Sequence, residues 1–305
     1  MQAYAYIFIL AGAALWGLIG IFVQKLSSLG FTPFQIVAIR VITAAVILVV
    51  YTVWKNSALL KIKAKDSKYF IGTGIISVVF FNWCYFTAIE ETSLSVAAIL
   101  LYTGPAFVVL LSRFFFQESL TSRKLLSLGL TLVGCALVVG LIPGGGHKVS
   151  TYGILVGLGS GLGYALYSIF GKFALGTYQS LTITTYTFVF ASAVMLPASQ
   201  LWNSLNLLLN WEVLWYGLGL GFFPTVLAYL LYTFGLSLVE SSKASITATV
   251  EPIVAALVGI FVFGEVLHSW QTAGIMLILA SIFLIQKSSQ VSDLDTMQEQ
   301  QKIQA

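Results

Sequence analysis

The sequence predicts an all-α polytopic membrane protein with ten transmembrane helices in two inverted five-helix repeats, and three observations carry that expectation. The 305 residues are 58% hydrophobic and only 9% charged, against about 25% charged in soluble domains, so the chain has too little polar surface for a water-soluble globule. Its apolar residues fall into ten runs, each close to the roughly 20 residues that cross a hydrocarbon core about 30 Å thick. The second half also repeats the first. Laid without gaps, Ile99 falls on Ile246, Pro105 on Pro252, Glu118 on Glu265 and Leu132 on Leu279.

Taken in order, the runs lie near 4 to 26, 34 to 54, 69 to 89, 93 to 116 and 123 to 142, and then 151 to 173, 179 to 200, 212 to 238, 242 to 263 and 268 to 287. They are numbered α1 to α10. The first repeat is 4–142 and the second 151–287; residues 288–305, rich in Gln and Ser, are expected as a disordered cytoplasmic tail. In α1, Gly12 and Trp16 are answered by Gly163 and Tyr167 of α6, and Tyr85 of α3 is answered by Tyr232 of α8. The α2 and α7 runs match poorly, and Arg40 of α2 has no basic counterpart. Shared greasiness alone would produce some likeness between helices, but it would not keep proline on proline and glutamate on glutamate.

Five helices is an odd number, so the second copy enters the membrane upside down relative to the first, as in many secondary transporters. Orientation follows from the basic residues. If the helices alternate, Lys55, Lys61, Lys63, Lys65, Lys68, Arg113, Arg123, Lys124, Lys172, Lys243, Lys287 and Lys302 all fall on one side, with only Lys25 and Lys148 opposite. Positive residues collect on the cytoplasmic face, so both termini are expected there. The start of the chain has no basic n-region before its first long apolar run, and a cleaved signal peptide is not expected.

Candidate functional residues are those that hydrocarbon should not tolerate. Glu251 lies about nine residues into α9, roughly 13 Å deep at 1.5 Å per residue. A carboxylate there is either a counter-charge or proton-carrying site in a transport pathway, or a buried group that stays protonated and bonds a neighbouring helix. Next to it, Pro252 removes a backbone donor and frees the carbonyl of Ala248, as Pro105 does for Leu101. The two prolines are expected hinges. Glu118 and Glu265, just after the broken helices, are candidates for capping or gating, or else ordinary solvated helix ends.

Arg40 either snorkels to the headgroups or turns inward as a charge partner for a carboxylate or a substrate acid group. Trp16, Asn82, Tyr85, Tyr102, Tyr164, Tyr167, Tyr229 and Tyr232 sit within helices rather than at the interfaces where aromatic residues usually gather. With Glu251 they are the candidate substrate-binding residues, since aromatic faces attract ammonium groups and mid-membrane hydroxyls and amides need partners. Each taken singly is as well explained by packing.

Several function classes find no support. The net charge of +4 is spread over helix ends without interleaved aromatic residues, so nucleic-acid binding is not expected. Cys84 and Cys135 read as packing residues, and neither they nor His147 and His268 have partners at metal-ligand spacing. The glycines from Gly157 to Gly163 lie inside a helix and Gly144 to Lys148 lacks the Walker spacing, so neither reads as a phosphate loop. No paired aspartates, zinc motif or Ser/His arrangement stands at membrane depth. No enzyme activity, cofactor or metal is therefore expected.

Leu15, Trp16 and Gly17, then Ala38 to Arg40, the Pro105 to Glu118 segment, Glu240 to Ile246, Glu251 with Pro252, and Gly264 with Glu265 together resemble the EamA-type members of the drug/metabolite transporter superfamily. The resemblance covers 4 to 287. It implies a ten-helix inverted-repeat carrier of the inner membrane with a central cavity and alternating access, often exporting amino acids or related metabolites. It places Trp16, Arg40, Pro105, Glu118, Glu251, Pro252 and Glu265 on family-typical positions. One departure is Gln117 where Gly264 stands in the second copy. The expected partners are a small-molecule substrate and the lipid bilayer; proton coupling and a monomeric or homodimeric state stay open. The rival reading is a non-transporting membrane protein, such as a lipid-handling enzyme, sensor or scaffold.

Overall fold

The computed structural model describes the backbone of residues 2–140 and 150–304, with side chains for 4–140 and 150–286. The lookalike motif at 144–148, with His147, and the expected end of α5 at 142 lie outside the described residues. Among the described residues, nine helices are long and apolar enough to cross a membrane: α1 Tyr4–Ser28, α2 Pro33–Leu60, α3 Ala64–Glu91, α4 Leu94–Phe116, α6 Thr151–Leu175, α7 Ser180–Ser199, α8 Trp211–Leu238, α9 Ser241–Phe263 and α10, which contains the span Ser269–Gln286. The tenth, α5, is a slightly shorter helix at Ser122–Val138. The described residues contain no strand. In α10 the helix continues over Ser269–Gln304, through the segment expected as a disordered tail; the Gln, Glu, Lys and Met residues there are good helix formers.

The helix pairings obey a twofold exchange. The α1 helix packs on α8 and α9, and α6 correspondingly packs on α3 and α4, while α2 packs on α7 and α5 on α10. Replacing each helix by its mate in the other repeat maps this set onto itself, which is what an inverted repeat requires. Lipid gives no hydrophobic drive between helices, so close backbone approach and interhelical hydroxyl bonds hold them. A Cβ added to Gly12 would stand 2.7 Å from the Ala228 carbonyl, and one on its mate Gly163 would stand 3.0 Å from Phe81 Cα. Buried threonines tie α7 into the bundle: Thr185 pairs with Thr52 at 3.1 Å and Thr187 with Thr73 at 2.6 Å.

Three kinds of irregularity place the site. The α3 and α8 helices each widen into a π-helical stretch, at Gly72–Val79 and Phe222–Leu227, a feature that often marks functional positions. In α8, Pro224 cannot donate to the Leu220 carbonyl, and the Thr225 hydroxyl takes that acceptor at 2.7 Å. The α4 and α9 helices are broken, with second halves beginning at Gly104 and Glu251 and a proline in the first turn of each. Both halves end alike, with Gln117 at φ 59° and Gly264 at φ 69°. After each, the next N–H reaches back to an equivalent carbonyl, Glu118 to Ser112 at 3.3 Å and Glu265 to Gly259 at 3.0 Å. The shared backbone survives the Gln-for-Gly difference. A left-handed non-glycine residue costs about 1–2 kcal/mol.

One expectation at the breaks is corrected. The Ala248 carbonyl is not free, because the turn tightens to a 3-10 pattern and the Glu251 N–H bonds to it. At the other break the carbonyls of Leu100 and Leu101 lie against Gly161 of α6, and the Thr103 hydroxyl donates to Leu100 at 2.6 Å.

The α5–α10 crossing tests the packing argument. A Cβ on Gly274 would lie 2.6 Å from the Gly134 carbonyl, whereas Gly129 has open space around it. Gly274→Leu should lower the thermal unfolding temperature in detergent, by an amount equivalent to about 1–3 kcal/mol of overpacking, and Gly129→Leu should leave it unchanged or raise it.

Candidate functional site

Helices α1, α3, α6 and α8 converge near their middles on a narrow cavity lined by Trp16, Ser77, Phe81, Tyr164, Tyr167, Ser168, Tyr229 and Tyr232. The lining follows from helical spacing. Tyr164, Tyr167 and Ser168 recur at i, i+3 and i+4, so α6 presents all three on one face, and Ser77 and Phe81 do the same on α3 across its π-helical end. Most of the volume is crevice between rings; room for water-sized contents is about 10 Å³, enough for one water at most. A metabolite enters only if these helices separate.

The aromatic rings form one cluster. Trp16 lies edge-on to Tyr229 at 5.1 Å between centroids and to Tyr164 at 6.1 Å, and tilted against Tyr232 at 5.0 Å. Tyr167 stands perpendicular to Tyr229 at 4.9 Å. Such edge-to-face geometry exposes ring faces to the centre. Two pairs of hydroxyls are already matched across α6 and α8, Tyr167 with Thr233 at 2.7 Å and Ser168 with Tyr232 at 2.6 Å. The Trp16 indole N–H is buried and has no hydrogen-bond partner among the described residues.

Glu251 stands at the edge of this cluster. The Tyr164 hydroxyl donates to its Oε2 over 3.5 Å, a long bond. The ring of Tyr164 also covers Gly104, where an added Cβ would fall 2.9 Å from Tyr164 Cδ1. The two repeat-mates at the breaks thus serve one tyrosine differently: Gly104 makes room for the ring and Glu251 meets its hydroxyl. Arg40 is buried, with 7% exposure, which overturns the snorkelling alternative. Its neighbours include Tyr229 and Glu251, with which it interacts electrostatically, yet its Nε and Nη2 are buried without a hydrogen-bond partner among the described residues.

The structure brings together Trp16, Tyr164, Tyr167, Tyr229 and Tyr232 of the expected binding residues, with Glu251 and Arg40 beside them. The other three do not line the cavity, although Tyr85 and Tyr102 lie close enough to Glu251 to interact with it electrostatically. The Asn82 amide donates to the Val78 carbonyl of its own helix at 2.7 Å. Tyr85 stacks on Phe81 and packs with Ala88, Ala97 and Val156. Tyr102 packs against the α5–α10 cluster containing Cys135 and Ile278. Ser77, Phe81 and Ser168 escaped the sequence reading, although the i, i+4 spacing of Ser168 from Tyr164 was available as a signal. Among the described residues, no three His, Cys, Asp or Glu side chains come together.

A charged network lies at the membrane face where α1 begins. Glu118, buried with 8% exposure, accepts the backbone N–H groups of Ser241 at 2.7 Å and Ser242 at 3.2 Å and the Ser242 hydroxyl. It is not the solvated helix end that was one of its alternatives, because α9 begins directly on its carboxylate. Lys124, 2% exposed, lies 3.6 Å from Glu118 and 3.0 Å from Glu240, which also pairs with Lys243. Burial works to raise the Glu240 carboxyl, but the two lysines outweigh it and hold it below the usual carboxylate range. The Lys172 ammonium donates to the Leu236 and Val239 carbonyls at 2.8 and 2.7 Å. At the opposite face Glu265 is exposed and folds back over Gly259 of its own helix.

Comparison with known proteins agrees with this architecture. The EamA-like transporter family matches residues 3–140 and again 151–286. An uncharacterized transporter of Archaeoglobus fulgidus is 36% identical over 200 residues, which is 66% of this chain and 70% of that one. The uncharacterized transporter YwfM of Bacillus subtilis is 25% identical over 285 residues, 92% of each chain. A crystal structure 18% identical superposes with a TM-score of 0.76, covering 93% of this chain and 96% of its own, and shares the fold. With two matched copies spanning nearly all of its helices, the chain belongs to the EamA-like transporter family, within the drug/metabolite transporter superfamily.

Proposed function

We propose that this protein is a secondary carrier, rather than an enzyme, that exports amino acids or closely related amphipathic metabolites across a bacterial inner membrane, with both termini in the cytoplasm. The observation that carries the reading is Arg40, buried near Glu251 beside an aromatic cluster with its Nε and Nη2 lacking a hydrogen-bond partner among the described residues. A charge at that depth costs several kcal/mol; Glu251 offsets part of it electrostatically, and the donors left without an acceptor suit a further anionic group. A free amino acid supplies one. Its carboxylate suits the planar fork of Arg40, and its ammonium suits Glu251 and the ring faces of Trp16, Tyr164 and Tyr229.

The cavity admits no such molecule as it stands, and alternating access follows from that. The π-helical stretches of α3 and α8 and the proline breaks at Pro105 and Pro252 let half-helices tilt without breaking a full set of backbone bonds, giving two packings close in energy. Glu251 is the group placed to carry a coupled proton when the substrate leaves it.

Three outcomes test this. A panel of small metabolites screened by thermal unfolding should contain amino acids that raise the unfolding temperature, while the matching methyl esters and decarboxylated amines do not. At a hundredfold excess over Kd the gain is about 2.7 kcal/mol, and Arg40→Gln should abolish it. In proteoliposomes, Glu251→Gln should cut flux at least tenfold and flatten its pH dependence; unchanged flux with an unchanged pH profile removes Glu251 from the mechanism. A cysteine appended to the C-terminus should react with an impermeant thiol reagent only after cells are opened.

A further inference from the structure

The two membrane faces of this fold are built from the same repeated parts but are not in the same state. At one face, α4 ends in a left-handed Gln117, and Glu118 then caps the first turn of α9 through Ser241 and Ser242. At the other face, α9 ends in a left-handed Gly264 followed by Glu265, and α4 begins at Leu94 and Ser95. In the repeat register Glu265 is the mate of Glu118, Leu94 of Ser241 and Ser95 of Ser242. All the parts of a second cap are present. Glu265 nevertheless is exposed, and among the described residues it makes no hydrogen bond or ion pair through its carboxylate.

We infer that Glu118 and Glu265 are alternating latches: Glu118 on Ser241 and Ser242 closes the face where α1 begins, and Glu265 on Leu94 and Ser95 closes the opposite face in the other transport state. The inference rests on the carrier reading and adds to it the residues that hold each state. Its physical basis is that the first-turn N–H groups of a helix have no intrahelical acceptor and favour a carboxylate through the helix dipole. A cap of this kind is easily broken and remade by a rigid movement of a half-helix. Because both carboxylates follow a chain reversal of the same geometry, each points back at the partner half-helix only when the two halves are drawn together.

The present structure is then the state closed at the Glu118 face. Lys124, Lys243 and Lys172 gather only there. Their repeat-mates at the other face are not basic: Gln271 stands for Lys124 and Val96 for Lys243, while Ile21 of α1 stands for Lys172. The Glu265 latch therefore has fewer charges around it and is the weaker of the two, which fits a resting state closed at the Glu118 face.

The test is a cross-link. In full-length protein with Cys84 and Cys135 replaced by alanine, Glu265→Cys combined with Ser95→Cys should form a disulfide under mild oxidation in membranes. In this background a single reporter, Ser245→Cys, one turn into α9 from the Glu118 cap, should be at least fivefold more reactive to an impermeant thiol reagent from the cytoplasmic side once the disulfide has formed. Without the engineered pair, Glu118→Gln should raise the same reactivity, and Ser242→Ala, which keeps the charge network, should raise it less. Glu265→Gln, at an exposed position that folding does not depend on, should leave Ser245→Cys as protected as before and slow turnover. Failure of the disulfide to form, or a formed disulfide that leaves Ser245→Cys protected, overturns the proposal. The cross-link needs no substrate, so its failure alongside normal flux of an amino acid sinks the latches alone, and its success alongside absent flux sinks the substrate assignment alone.

Discussion

Inside hydrocarbon no water completes a hydrogen bond, so a helix can be interrupted there only where protein encloses the interruption. That constraint governs the whole arrangement. The α4 break is covered by α6, with Gly161 and Gly104 giving room, and the α9 break tightens until Glu251 donates to Ala248. The π-helical stretch of α8 is mended by the Thr225 hydroxyl. The α4 break thus relies on a neighbour, α6, which also lines the cavity, whereas the other two irregularities are mended within their own helices.

The constraint also explains which polar groups stand apart. Most buried hydroxyls have partners: Thr52 with Thr185, Thr73 with Thr187, Thr131 with Ser281, Tyr167 with Thr233. Against that background the orphaned donors of Arg40 and the Trp16 indole are conspicuous. The hydroxyls of Ser112, Ser127, Ser192 and Ser241 also lack a partner among the described residues, so what sets Arg40 and Trp16 apart is their place beside the aromatic cluster rather than their being unmatched.

Much of the fold was legible because its signals are strong and local: apolar runs of spanning length, lysines collected at alternate ends, and prolines in register. The repeat register went further than helix count, since it put Gln117 on Gly264 and the two share a left-handed backbone although only one of them is glycine. The site was less legible, and the reason is rotational. A mid-helix tyrosine can face a cavity, a neighbouring helix or lipid, and the sequence fixes its depth without fixing its direction once the helix departs from 3.6 residues per turn. Tyr85 and Asn82 lie just beyond the π-helical stretch of α3, whose wider turn changes the facing of everything after it; no residue type announces that turn. Tyr102 sits at the α4 break itself, where the facing is again not that of a straight helix.

The same reasoning separates the two glutamates whose roles the sequence left open. Position along the chain made Glu118 and Glu265 equivalent, and their local backbone is equivalent. Their surroundings are not: a buried cap stands at one face and a bare carboxylate at the other. Like parts in unlike surroundings are what one conformation closed at a single face presents, and on the carrier reading the exchange of those two environments is the step that moves access from one side to the other.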